Sequence, residues 1–337
     1  MPDAEDRLSI IWGEAVMKIM YIGGHIPHKK SWLAVRNTLL LKQLPPWAEY
    51  IECYSVQEVK ANLDKTDVIF LENLRSTPFW EELKFLEETN CLICASYCDV
   101  WRQPWWFRFL RVDVNVVLTQ AAAFASFPQE IHDTVYFLPY RVEISHIQNE
   151  RDIDIIIWGT WHHKAYPFRM FIQKQVQRWI EGREAFCPND IIGGGLHLYD
   201  IELRGHSYKL GYIGAKGGYY GPELFKLLSR CKIACTGPGH KKGVALATGK
   251  YYENMACGTV VLTNAFSELE ELGFKQGENI WVTDADRFEN DLCDLLENSA
   301  LVERLSVAGK QLVEERYTPQ VLAYKFYKFL QQRTGKL

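Results

Sequence analysis

Residues 152–169 read DIDIIIWGTWHHKAYPFR. Ile153 and Ile155–Ile157 form a short apolar run that passes through Trp158 into Gly159 and Thr160, the signature of a buried strand ending in a turn. The pattern has a counterpart at 16–24, where VMKIMYIGG also ends an apolar run in two glycines. A chain of 337 residues is too long for one ordinary core, so each start is read as the first strand of its own lobe.

Working outward, the same alternation fills both halves. In the first, Ser31 opens a helix to about Leu44 that Pro45-Pro46 ends. Strand 50–56, helix 56–65, strand 67–71, helix 78–89 and strands 91–96, 115–119 and 135–140 follow. The polar RVEISHIQNERD is read as the linker. In the second half, helix 165–181, a strand at DIIGG, a glycine-rich loop, helix 222–230, strand KIACTG, helix 249–257, strand TVVLTN and helices 286–297 and 299–315 complete the pattern. Such alternation predicts an α/β protein with two doubly wound, Rossmann-like domains, residues 1–150 and 151–317, followed by a last helix in 318–337. Ligands of open parallel sheets bind outside the carboxyl ends of the strands, so a cleft between the lobes is the expected site.

Composition narrows the class. Hydrophobic residues make up 47% and charged residues 24%, which suits a globular chain and excludes a disordered or collagenous one. The sequence has no apolar run of about 18 residues that would span a bilayer. The opening MPDAEDRLSIIWGEAVM is acidic, unlike a secretory signal, so a cytoplasmic protein is expected. Nine cysteines cannot all pair, and the clusters in CLICASYC and at Cys231 and Cys235 lie in strand-like segments. Reduced, buried thiols are expected, with no metal and no cofactor. The net charge of −4 divides into about −6 over residues 1–150 and about +2 beyond, which points to the second half for an anionic ligand.

Candidate contacts gather at strand ends. Gly23, Gly24 and His25 follow the first strand, where glycine lets backbone approach a ligand. The G-x-G-x-x-G pattern is absent, and a plain turn with an exposed histidine competes with His25 as a base. In the opening stretch, Lys164 and Arg169 flank a helix start whose amides favour an anion. They suit a diphosphate, and ordinary surface charges are the alternative. The loop GYIGAKGGYYGPELF (211–225) offers Gly217 and Gly218 as backbone contacts. The segment TGPGHKKGVALATGKYYENMACG (236–258) adds His240, Lys250, Tyr252 and Glu253. Glu253 is expected in the first turn of its helix, either complementing the dipole or accepting bonds from two ribose hydroxyls.

YYENMACGTVVLTN, with ELGFKQGENIWVTDADRFENDLCDLLENSALVERLSVAGKQLVEERYT after it, resembles the C-terminal part of group 1 glycosyltransferases of GT-B fold, closest to the spore-maturation-like branch. The likeness covers about residues 205–320. It implies a glycosyltransferase using a nucleotide-diphosphate sugar, retention at the anomeric carbon and independence of metal. It further implies that Glu253 contacts the ribose, that Lys250, Arg169 and Lys164 take the diphosphate, and that the last helix crosses back to the first lobe. Ala245 stands where many relatives carry an acid that contacts the donor sugar.

On the acceptor side, DVWRQPWWFRFLRVD (99–113) interleaves Trp105 and Trp106 with Arg108. Packing, a membrane-interface helix for a lipid-linked glycan, and a platform for nucleic-acid bases are its three readings. Asp99, at a strand end, is a candidate base. A soluble glycan is a further acceptor class, and peripheral membrane contact is a candidate partner interaction. A nucleotide-sugar epimerase and a non-catalytic nucleotide-sugar or polysaccharide binder are the rival functions.

Overall fold

The computed structural model describes residues 16–22, 40–44, 47–72, 82–97, 116–119, 135–138, 142–144, 150–159, 165–180, 195–214, 219, 221–241 and 244–335. The candidate residues Gly23, Gly24, His25, Asp99, Trp105, Trp106, Arg108, Lys164, Gly217 and Gly218 lie outside them. The chain divides into two compact units. One comprises Met1–Gln120, Pro128–Leu138 and Pro319–Leu337, the other Ala121–Phe127 and Pro139–Thr318.

In the first unit, strands β1 (Met17–Ile22), β2 (Ala48–Cys53), β3 (Val68–Glu72), β4 (Leu92–Tyr97), β5 (Val116–Thr119) and β6 (Val135–Phe137) form one sheet in the order β2-β1-β3-β4-β5-β6. Every pairing in it is parallel, with Ile19 beside both Tyr50 and Val68. Successive side chains of a strand point to opposite faces, and here both faces are buried. Met20, Ile22, Ile69, Leu71, Ile93 and Ala95 pack with Val59 of helix α1 (Val56–Asn62) and with Leu83 and Leu86. A capping box fixes the start of α1, the Ser55 side chain accepting from the Glu58 amide while Glu58 accepts from the Ser55 amide. The alternate set, Met17, Ile19, Tyr21, Val68, Phe70 and Cys94, packs with Leu322, Ala323, Phe326 and Leu330 of the last helix. Phe326 meets Phe70 edge-on at 5.9 Å.

The second unit holds β7 (Ile153–Trp158), β8 (Leu196–Leu203), β9 (His206–Ile213), β10 (Cys231–Cys235), β13 (Val260–Asn264) and β14 (Trp281–Thr283), ordered β14-β13-β10-β7-β9-β8. β11 (Gly239–Lys241) and β12 (Val244–Leu246) form a separate antiparallel pair. Its helices are α2 (Pro167–Trp179), α3 (Pro222–Leu228), α4 (Gly249–Ala256), α5 (Phe288–Glu297) and α6 (Ser299–Arg316). α7 (Pro319–Thr334) follows and belongs to the first unit. One face of the sheet, including Ile155, Ile157, Ile233 and Leu262, packs on Ile172 and Val176 of α2 and on Leu292 and Leu295 of α5. The other face, with Ile153, Ile156 and Ala234, packs on Leu224, Leu227 and Leu228 of α3.

The second sheet carries one antiparallel edge strand, β8, which pairs with β9 along eight residues of each. Arg204 and Gly205 both take positive φ, 50° and 78°, the backbone of a two-residue hairpin turn matched to strand twist. LHLYDIEL and HSYKLGYI are therefore strands, the second running into the start of the 211–225 segment expected as a loop. Gly211, taken as part of that loop, lies inside β9, where a Cβ would come within 2.9 Å of the Ile156 side chain.

Candidate nucleotide-diphosphate site

In the second sheet the chain passes from β7 to β8 and β9 on one side, then to β10 on the other. The crevice outside the carboxyl ends of β7 and β10 is thus the topological switch point, where open α/β sheets bind ligands. Trp158 ends β7 and Gly159 follows it, and Thr236 and Gly237 follow β10. Helix α4 begins beside them. A Cβ on Gly159 would lie 2.1 Å from Cε of Lys250, and Gly159 has φ of +102°, so glycine is required there on both counts.

Three interactions fix the amino end of α4. Thr248 occupies the N-cap position, yet its side chain makes no capping bond to the helix. Its hydroxyl instead accepts from Nη2 of Arg169 at 2.9 Å, while Arg169 Nε donates to the Gly237 carbonyl at 3.0 Å. The Ala247 amide donates to the buried Glu268 carboxylate at 2.8 Å. The first amides of an α-helix lack partners inside it, and the Thr248 side chain, engaged with Arg169, makes no bond to those of α4. Lys250 sits in this first turn, its Nζ 3.9 Å from the centre of the Trp158 ring. Trp158 in turn donates through Nε1 to Asn254 at 3.3 Å, and the Asn254 amide group donates to the Lys250 carbonyl at 2.6 Å.

Arg169 is only 2% exposed and stacks 4.0 Å over the Tyr166 ring. The structure therefore places the guanidinium in the framework that joins α2, the loop after β10 and α4, rather than at a surface open to a diphosphate. Tyr252 needs the same correction. It is fully buried, packed edge-on to Tyr317 at 4.7 Å and against Phe274 at 5.6 Å, because it points from α4 into the core instead of out of the crevice.

Glu253 is the fifth residue of α4, and no acid lies in that helix's first turn. The dipole interaction falls off beyond the first turn, which removes that account of the residue. Half-buried Glu253 stands three residues after Lys250, so both occupy one face of the helix. His240 is the middle residue of β11, opposite Ala245, and its amide donates to the Ala165 carbonyl at 2.6 Å. Burial lowers its pKa from the usual 6.5, which favours the neutral imidazole.

The arrangement brings helix-start amides, an ammonium and a carboxylate together on adjoining turns, the donor and acceptor set that a nucleoside diphosphate requires. Residues 191–326 match the model of a family described as glycosyl transferase-like. That stretch of the chain is similar to the glycosyl transferase-like family. The fold extends the likeness beyond it. A glycosyltransferase from Rickettsia africae superposes with a TM-score of 0.61 at 10% identity, over 94% of this chain and 98% of that one. T4 phage BGT in complex with its UDP-glucose substrate gives 0.57 at 13% identity, over 94% and 99%. Anabaena HepE in complex with UDP and glucose gives 0.54 at 11% identity, over 94% and 100%. The fold of the protein is GT-B. No curated protein matches the chain in sequence.

Proposed function

We propose that the protein transfers a sugar from a nucleotide-diphosphate sugar to an acceptor hydroxyl. The observation that carries this reading is the amino end of α4 at the switch point between β7 and β10, with Lys250 in its first turn. The diphosphate lies against those amides and the Lys250 ammonium. Its ribose hydroxyls donate to Glu253 one turn further along the same helix face. The UDP and UDP-glucose held by HepE and T4 phage BGT make uridine nucleotides the first donors to try.

Helix amides and Lys250 stabilise the negative charge that grows on the departing diphosphate, as prearranged donors do wherever charge develops in a transition state. This neutralisation supports a reaction that runs without a metal ion, and activity that persists in a strong chelator is the expected result. Retention at the anomeric carbon and a place in the spore-maturation-like branch rest on the resemblance of residues 205–320. The acceptor is a glycan, a lipid-linked glycan or a nucleic-acid base bearing a hydroxyl. Among the described residues no helix is long and apolar enough to cross a membrane.

The test is incubation of the full chain with UDP-, GDP-, ADP- and dTDP-linked hexoses, with and without mixed acceptors, followed by product analysis. A glycosyltransferase releases nucleoside diphosphate and produces a glycosylated acceptor. A new nucleotide sugar formed without acceptor would indicate an epimerase instead, and binding without turnover of any donor would indicate a carbohydrate-binding protein.

A further inference from the structure

Helix α7 has two unlike faces. Leu322, Ala323, Phe326 and Leu330 are buried against the first sheet, whereas Tyr324, Lys325 and Lys328 are exposed. Tyr324 leaves 46% of its surface open, unusual here for so large an apolar side chain. Trp47, half-buried and just before β2, extends this outer face: its ring lies 5.3 Å from that of Tyr324 and 6.1 Å from that of half-buried Tyr327. From Tyr317 to Leu337 the sequence holds Lys325, Lys328, Arg333 and Lys336 and no acidic residue, in a chain whose net charge is −4. The acids of neighbouring β2 are already engaged, Glu49 with Lys18 at 3.9 Å and Glu52 with the Tyr54 hydroxyl. Aromatic rings beside unopposed lysines call for an anionic partner.

How the rings are held selects that partner. Trp47 and Tyr327 stack on each other at 22°. Tyr324 is tilted 58° against Trp47 and has the Lys328 ammonium 5.8 Å from its centre. A single-stranded nucleic acid needs open ring faces on which its bases can stack, and here the faces are turned to one another and to a lysine. Trp and Tyr rings with polar tips, set among long lysine stems, instead suit the level of lipid headgroups, where the rings meet the acyl boundary and the ammonium groups meet phosphates. We infer that the outer face of α7, with Trp47, Tyr324, Tyr327, Lys325 and Lys328, docks the protein on an anionic bilayer surface. The helix lies along that surface because its opposite face is committed to the sheet. This contact stands whether or not a nucleotide sugar is the ligand of α4.

The experiment is cosedimentation of the full chain with vesicles of phosphatidylcholine alone and of phosphatidylcholine mixed equally with phosphatidylglycerol. Binding to the mixed vesicles only, weakening as salt rises, is the expected result. A lysine near an anionic surface contributes about fivefold in affinity, so Lys325→Gln combined with Lys328→Gln is expected to weaken binding about 25-fold. Lys226→Gln combined with Lys275→Gln makes the same charge change at exposed positions of the other unit and should stay within about twofold. Tyr324→Ser should weaken binding while leaving Tm unchanged, because the ring is largely open. Trp47→Phe should remove most of the quenching of tryptophan emission by brominated lipid. No binding to the mixed vesicles would overturn the inference, as would equal losses from the two lysine pairs. Quenching that survives Trp47→Phe would overturn it too, by placing the contact elsewhere. Single-stranded DNA or heparin held through Lys325 and Lys328, with vesicles ignored, would replace the bilayer with a different partner.

Discussion

Arg169 separates two accounts of the site. Arg169→Met keeps much of the side chain's bulk but deletes a guanidinium that donates to Gly237 at 3.0 Å and to Thr248 at 2.9 Å in a nearly dry setting. Hydrogen bonds to charged groups contribute about 1.5–3 kcal/mol each, so losing both is expected to cost about 3–6 kcal/mol. For a domain of this size about 2–4 °C of Tm accompanies each kcal/mol, so a fall of about 6–24 °C is predicted. Arg169→Lys keeps the charge but not the two-pronged reach, and should recover about half of the loss. Thermal unfolding followed by circular dichroism, with and without nucleotide, reads the effect. A variant that keeps its Tm but no longer binds nucleotide would refute this reasoning and make Arg169 a direct ligand of the diphosphate.

Three further outcomes follow from the same geometry. Glu253→Ala should weaken nucleotide binding about 100- to 10,000-fold by losing two charge-assisted bonds to ribose; removing one of those hydroxyls with the 2′-deoxynucleotide should cost wild type more affinity than it costs the variant, which checks the assignment. Gly159→Ala forces a Cβ into the space of Lys250 and a strained φ of +102° on alanine, a cost of about 1–3 kcal/mol; its check is a changed Trp158 emission together with a lowered Tm. His240 is neutral in the fold with its pKa depressed by burial, so the unfolded chain takes up the proton first. The resulting stability is present above the usual value of 6.5 and is lost as pH falls below it towards the lowered folded value; His240→Gln should flatten that part of the Tm-against-pH curve, and an identical curve would contradict the assignment.

Much of the architecture was legible because both sheets are covered on both faces, which turns their strands into short apolar runs such as Ile153–Trp158 and Val260–Asn264. Helix starts were equally local, as at Pro167 and Pro222, each at the first helical position. The antiparallel hairpin escaped because Arg204-Gly205 is not one of the usual turn pairs, although alternation through LHLYDIEL carried the signal. β11, β12 and β14 are three residues each, too short for periodicity to register.

That Lys250 and Glu253 share one face was legible, because a single helix carries both three residues apart. Arg169 could not be read the same way, because its partners lie 68 and 79 residues away and decide whether a buried guanidinium serves the fold or a ligand. Tyr252 shows the same limit. Nothing in KYYENM says which tyrosine faces inward, and both Tyr251 and Tyr252 prove fully buried.

The central claim is that a nucleotide-diphosphate sugar binds at the amino end of α4, and a crystal structure of the full chain with the tightest-binding nucleotide sugar of the panel tests it most directly. The account predicts the diphosphate within hydrogen-bond distance of the α4 amides and the Lys250 ammonium, with the ribose hydroxyls on Glu253. A nucleotide bound elsewhere, with Glu253 and Lys250 untouched, would contradict it.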